Sequence, residues 1–86
     1  MAACIGNPIG DKGLVTPAID LNNVRSNGIY QYYVERGLPA NAPTYLDRGL
    51  IMVFTSGIHT VQIIYDYRDG VLFRVGLQDF QDWKHL

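Results

Sequence analysis

The sequence predicts an all-β protein: a small antiparallel β sheet or sandwich built from hairpins, behind an irregular N-terminal arm. Apolar and polar residues alternate with a period of two along several short segments, and glycine- or asparagine-containing turn signals separate those segments. The composition, 48% hydrophobic and 17% charged, is that of a folded chain rather than a disordered one. With 86 residues there is room for one domain.

The first 19 residues are predicted to form an extended arm, and residues 20–86 the β domain. Residues 1–17 are rich in glycine and proline and show neither a helical nor a strand period. Residues 20–26 ("DLNNVRS") are long enough for a single helical turn, which the side chain of Asp20 would cap.

Four segments are predicted to be strands: residues 29–34, 50–55, 60–67 and 71–75. Residues 35–48 lie between the first two and contain two prolines. We expect a long surface loop there, of the kind that often has a function.

The turn "RDG" joins the last two of these strands, and its length fixes their register. A two-residue loop would place the apolar residues of one strand against Leu72 and Arg74 of the next. A three-residue loop of residues 68–70 instead makes one whole face apolar and puts Gly70 at the left-handed position. The predicted pairs are Tyr67 with Val71, Tyr65 with Phe73, and Ile63 with Val75.

The chain ends in "FQDWKHL", which is predicted to be a closing strand. Strict alternation places Phe80 and Trp83 on opposite faces, so at least one ring must be buried by a bend, a bulge or a neighbouring chain. We expect Trp83 to attach the end of the chain to the sheet.

Charge and cysteine content exclude several classes of protein. The formal net charge is −1 and the seven basic residues are scattered, which disfavours nucleic-acid binding and binding to an anionic membrane. Cys4 is the single cysteine, so no disulfide forms within the chain. We expect a soluble protein made in the cytoplasm without a secretion signal, because no such signal is visible and the longest apolar run is short.

Catalytic signatures are absent, and we predict no enzyme activity, no cofactor and no metal site. His59 and His85 are far apart in the sequence, and neither has a metal-ligand neighbour at the usual spacing. Asp66 falls on the polar face of its strand and would need a second carboxylate to hydrolyse a glycosidic bond. A small glycan-acting hydrolase that uses Asp66 is therefore the least favoured hypothesis.

Aromatic residues occur on both faces of the predicted strands, and there are more of them than one small core needs. Aromatic rings are common at protein interfaces. We divide their roles between core and interface, with a smaller share for a ligand-binding face. The candidates for packing are Tyr30, Tyr65, Tyr67, Phe73, Phe80 and Trp83.

From residue 20 to the end, the order of signals resembles the knob domain of bacteriophage and R-type pyocin tail fibres. "DLNNVRSNGIYQY" looks like the opening D-L-N-x-x-x-x-x-G-x-Y of that family, and "NAPTYLDRGLIMVF" is similar to its N-A-P…G-x-L-x-V segment. The run from "HTVQIIYDY" to "DWKHL" resembles the closing V-Q-x-x-Y and W-x-x-W-x-x-L, with Phe80 in place of the first tryptophan. The likeness covers about four-fifths of the chain.

The resemblance implies a small antiparallel β domain in a trimeric virion fibre, with a role in host attachment. Its expected partners are other copies of the chain or other fibre proteins. Its expected receptor is a host-surface polysaccharide or another molecule of the host surface. Residues 1–19 would be a segment that docks onto another subunit. The candidate receptor contacts are Tyr32, Tyr33, Asn41 and Arg48. The alternative is an assembly adaptor that joins or caps fibre subunits and never touches a receptor.

Overall fold

A computed structural model describes residues 10–86, which form one six-stranded mixed sheet. The strands lie side by side in chain order: β1 (Asp11–Leu14), β2 (Gly28–Tyr33), β3 (Arg48–Ser56), β4 (His59–Asp66), β5 (Gly70–Gly76) and β6 (Lys84–His85). β1 pairs with β2 in parallel and the other neighbours are antiparallel. Two short 3-10 helices, Leu21–Asn23 and Val34–Arg36, lie in the connections. The predicted all-β class is confirmed, as a single sheet.

Residues 11–19 belong to the folded domain, which corrects the predicted boundary at residue 20. The strand β1 pairs with β2, and the amide of Val15 donates to the carbonyl of Gln31 at 2.9 Å. Val15 itself is fully buried in the core. The rest of the predicted arm, residues 1–9, lies outside the described residues.

The predicted capped turn at residues 20–26 is confirmed as the 3-10 helix Leu21–Asn23. The carboxylate of Asp20 accepts a hydrogen bond from the amide of Asn22 at 2.9 Å, which satisfies one free donor at the helix start. This turn buries Leu21 completely and Val24 almost completely against the sheet.

The β4–β5 hairpin has the predicted loop length but a register two residues from the prediction. Asp66 pairs with Gly70, and Tyr65 then faces Val71, so the loop is residues 67–69. The reason is local: the Asp66 carboxylate accepts the amides of Arg68 at 2.9 Å and Asp69 at 3.0 Å, which closes the turn on Asp66. Gly70 has a φ of 84°, as the turn prediction requires. A shift of two residues leaves every side chain on its predicted face.

One face of the sheet is covered by the loops and the first 3-10 helix, and the core lies there. Its buried apolar members are Val15, Leu21, Val24, Tyr32, Leu46, Ile51, Val53, Ile64 and Leu72. This face also buries Gln62, Asp66 and Arg74, so the face that the sequence marks as polar in β4 and β5 is the inner one.

The chain end forms a strand only at Lys84–His85, which corrects the predicted closing strand. Residue Phe80 makes an isolated bridge with Gly76, and the chain then leaves the strand conformation before β6. The bridge depends on Gly76, since a Cβ there would lie 2.7 Å from the carbonyl oxygen of Asp79. The bend brings Phe80 and Trp83 to the same guanidinium group, that of Arg74.

Candidate interaction surfaces

The outer face of the central strands is a three-by-three array of apolar side chains, which we call the apolar sheet face. Strand register sets its three rows, each running from β3 through β4 to β5. The rows are Phe54–Val61–Val75, Met52–Ile63–Phe73 and Leu50–Tyr65–Val71.

Every residue of the apolar sheet face remains partly or largely exposed. Leu50 is 38% exposed, Phe54 37% and Tyr65 46%, and the other six are intermediate. No side chain of the nine is charged. A contiguous open apolar surface on a small domain is typical of an interaction site.

A polar network lies beneath the opposite face. Gln62 and Arg74 face each other across β4 and β5, and Arg74 Nε donates to Gln62 Oε1 at 2.9 Å. The side-chain amide of Gln62 donates to the carbonyls of Leu21 at 2.7 Å and Val24 at 2.9 Å. This network ties the first 3-10 helix to the sheet, because those carbonyls are buried acceptors that need a donor.

The Arg74 guanidinium is held by aromatic rings rather than by a carboxylate. It lies 4.1 Å from the centre of the Phe80 ring and 4.6 Å from that of Trp83. Among the described residues its Nη2 has no hydrogen-bond partner. Burial lowers the pKa of Arg74 to about 10, because the charged form loses hydration.

Two further contacts fix the aromatic end of the chain. The Arg25 guanidinium lies 4.4 Å from the centre of the Phe80 ring and donates to the carbonyls of Leu77 and Gln78, both at 2.6 Å. The indole Nε1 of Trp83 donates to the carbonyl of Asn41 at 2.9 Å. The chain end is thereby attached to both the sheet and the long loop.

Asp66 joins three parts of the chain. Besides the two turn amides, it accepts the Tyr32 hydroxyl at 2.6 Å and the Asp47 amide at 2.8 Å, and it is 1% exposed. Burial alone would raise the pKa of this carboxyl, but the four hydrogen bonds outweigh it and the pKa is lowered. Burial and the same hydrogen bond raise the pKa of Tyr32. With four donors already on its two oxygens, Asp66 has a structural role.

The structure separates the four predicted receptor contacts. Tyr32 is fully buried, so it offers no surface to a receptor, and this corrects the prediction. Asn41 is exposed, but its amide donates to Asp20 at 2.6 Å and its carbonyl holds Trp83. Tyr33 and Arg48 lie opposite each other at the end of β2 and β3, and both are exposed.

Arg48 is partly neutralised at this end of the sheet. Its guanidinium lies 2.8 Å from the carboxylate of Glu35 and 3.5 Å from that of Asp47, and these carboxylates raise its pKa. The Tyr33 hydroxyl donates to the side chain of Gln31 at 3.1 Å. Tyrosine and arginine together are frequent at contact surfaces.

The predicted packing residues divide between the two faces. Tyr30 and Trp83 pack against the core, whereas Tyr65 and Phe73 belong to the apolar sheet face. Tyr67 lies in the β4–β5 turn and is 73% exposed, so it does not pack in this chain.

An open cleft of about 800 Å³ lies at the other end of β3. Its walls are the β3–β4 turn and the loop of residues 77–79. They carry the exposed apolar side chains Ile58 and Leu77 beside polar groups such as Asp79. Sequence reasoning missed this cleft because its two walls are about twenty positions apart; its one local signal is the isoleucine in the turn "SGIH".

Within residues 10–86 there is no group of three or more His, Cys, Asp and Glu side chains placed to hold a metal ion. No helix in that part of the chain has the length and apolar character needed to cross a bilayer.

In comparisons with known proteins, no family model, no curated protein and no solved structure matches the chain.

Proposed function

We propose that this chain is a non-enzymatic structural domain of a bacteriophage tail fibre, of the knob type, that contributes to attachment to the host cell. The observation that carries the proposal is the apolar sheet face, because a domain that acts alone covers its apolar sheet surface and a subunit of an assembly leaves it for a neighbour. The ordered likeness of its sequence signals to fibre knobs gives the kind of assembly.

In this function the chain acts in the virion, with copies of itself in a trimer or with other fibre proteins. The end of β2 and β3 faces the host. Tyr33 supplies an aromatic ring that can stack on a sugar, and Arg48 supplies a guanidinium that can bind an acidic or hydroxylated group. Asp66 supports the absence of catalysis, because a general acid or base needs an oxygen free to meet the substrate.

Binding of the labelled, purified chain to cells and to extracted surface polysaccharide of candidate host strains tests the proposal. We expect saturable binding that falls at least tenfold, by about 1.4 kcal/mol or more, in the double variant Tyr33→Ala/Arg48→Ala. The matched double variant Ile58→Ala/Asp79→Ala, in the cleft at the far end of β3, should bind as the parent does.

The pattern of losses separates the alternatives. A loss confined to the cleft variant would move the receptor contact to the cleft. Stable complexes with neighbouring fibre proteins and no binding to any cell would favour the assembly adaptor. Release of products from the polysaccharide, abolished by Asp66→Asn in a folded variant, would contradict the non-enzymatic assignment.

A further inference from the structure

We infer that the apolar sheet face is the surface on which copies of this chain associate, with the β3 side chains of one copy packed on the β5 side chains of the next. The inference deepens the proposed assembly and rests on that part of the proposed function. It states that the partner of these nine residues is a second copy of the chain, and that β3 of one copy packs on β5 of the other.

The size of the face fits a small interface between copies. With strands about 4.8 Å apart and alternate residues about 6.8 Å apart, the outline of nine residues is about 300 Å². On β2 the apolar Ile29 lies beside Met52, whereas the polar Gln31 lies beside Leu50, so the apolar outline extends onto β2 only at Ile29. This outline is smaller than the roughly 800 Å² per partner of a standard stable complex, so we expect a weak association that depends on protein concentration.

Charge favours a second copy over a charged partner. The apolar sheet face has no acid or base to match such a partner, and a charged group placed on it would lose water without gaining a counter-charge. A second copy brings the same uncharged surface. The net charge of −1 makes repulsion between copies small.

The sizes of the side chains favour packing of β3 from one copy on β5 of the other copy. In the outer rows β3 contributes the bulky Leu50 and Phe54, whereas β5 contributes the small Val71 and Val75. A half-turn about an axis along β4 places β3 of one copy over β5 of the other, so large side chains meet small ones in both directions.

The same pairing serves a three-fold arrangement. Each face would then turn its β3 side to one neighbour and its β5 side to the other. A dimer and a trimer therefore share the contact of Phe54 with Val75, and that contact is what we assign.

Sedimentation or light scattering of the purified full chain across the micromolar range tests the surface. We expect an oligomer whose dissociation constant rises at least about 100-fold in Ile63→Lys, because the lysine charge would be buried without a partner. The matched control Ile58→Lys makes the same change on an exposed isoleucine in the β3–β4 turn and should leave association unchanged. Circular dichroism checks the fold, and Leu50→Lys serves if Ile63→Lys unfolds.

Thiol cross-linking with a short bismaleimide tests the strand pairing, because facing sheets about 10 Å apart are too far for a direct disulfide. In a Cys4→Ser background, a Phe54→Cys chain mixed with a Val75→Cys chain should cross-link, and each chain alone should cross-link far less. Cross-linking of Phe54→Cys with itself alone would overturn the pairing. A chain that stays monomeric at every concentration, or an oligomer indifferent to Ile63→Lys, would overturn the surface.

Failure of this inference is distinguishable from failure of the proposed function. A monomer that still binds host cells would overturn the association surface and leave attachment standing. An oligomer that dissociates with Ile63→Lys and binds no cell would support the surface and count against attachment.

Discussion

The two faces of the sheet differ in what covers them and in what they are made of. On the inner face, Ile51, Ile64 and Leu72 are fully buried, yet Gln62 and Arg74 are buried among them. The outer face is apolar throughout its centre and stays open. The inner face is mixed because it must meet loops, whose carbonyls and amides need hydrogen-bond partners, whereas the outer face meets no described backbone and needs none.

Hydrophobic content alone therefore does not tell which face of a sheet is inside. Gln62 satisfies two carbonyls of the loop above it, and Asp66 satisfies amides from two separate connections. A polar side chain with all its partners present is well suited to a core, since it specifies how loops dock. An apolar face left over by that arrangement is the surface available to another chain.

Ile63 and Ile64 provide the strongest test of the difference between the faces, because they are the same type of residue, adjacent in β4, on opposite faces. Ile64→Ala should lower the free energy of unfolding by about 3–4 kcal/mol, since a fully buried side chain leaves a cavity. Ile63→Ala should cost less than about 1.5 kcal/mol in the dissociated chain, because the side chain is already partly in water. Urea denaturation at low protein concentration measures both.

Equal losses from the two substitutions would contradict the assignment of the outer face. Val53→Ala, at a second fully buried position, is a control for the inner face. It should resemble Ile64→Ala in direction, with a smaller loss because fewer carbons are removed.

Local signals carried much of the fold prediction. The cap of Asp20 and the left-handed φ of Gly70 each depend on residues within three positions, so the sequence was sufficient for both. The hairpin register could not be predicted in this way, because two registers that differ by two residues place every side chain on the same face. The Asp66 carboxylate selects between them by accepting the turn amides.

The candidate site was less accessible to sequence reasoning because it depends on distant pairs. Tyr32 is buried since its hydroxyl meets Asp66, 34 positions away, and nothing near Tyr32 announces that contact. The inner face is likewise chosen by Leu21 and Leu46, which come from separate connections. Alternation revealed two faces but could not say which one these residues would cover.

Trp83 tests the packing at the edge of the inner face. The ring is partly buried, so Trp83→Ala should cost about 2–3 kcal/mol, below the 3–5 kcal/mol typical of a fully buried aromatic side chain. The losses are the contact with Arg74 and a donor to Asn41. Tyr67→Ala, at a largely exposed ring, should change stability by less than about 0.5 kcal/mol. Thermal unfolding of the pair measures both, and equal effects would place Trp83 outside the packed structure.

The smallest expected effect is an acid dependence that belongs to the inner face. The pKa of Asp66 is lower in the folded chain than the ordinary value near 3.8, so the folded state binds its proton more weakly than the unfolded state does. Its contribution to stability is therefore present in full above about pH 4 and is lost as the pH falls through the folded-state pKa.

Asp66→Asn should be less stable at neutral pH and should lose less stability on acidification, because it has no carboxylate to protonate. Asp69→Asn makes the same substitution at an exposed neighbour in the same turn and serves as the matched comparison. Stability measured by urea denaturation from pH 7 down to about pH 3 spans the ordinary carboxyl range. An Asp66→Asn profile parallel to the parent's would show that other carboxylates, such as Asp20 with its own lowered pKa, dominate the acid response.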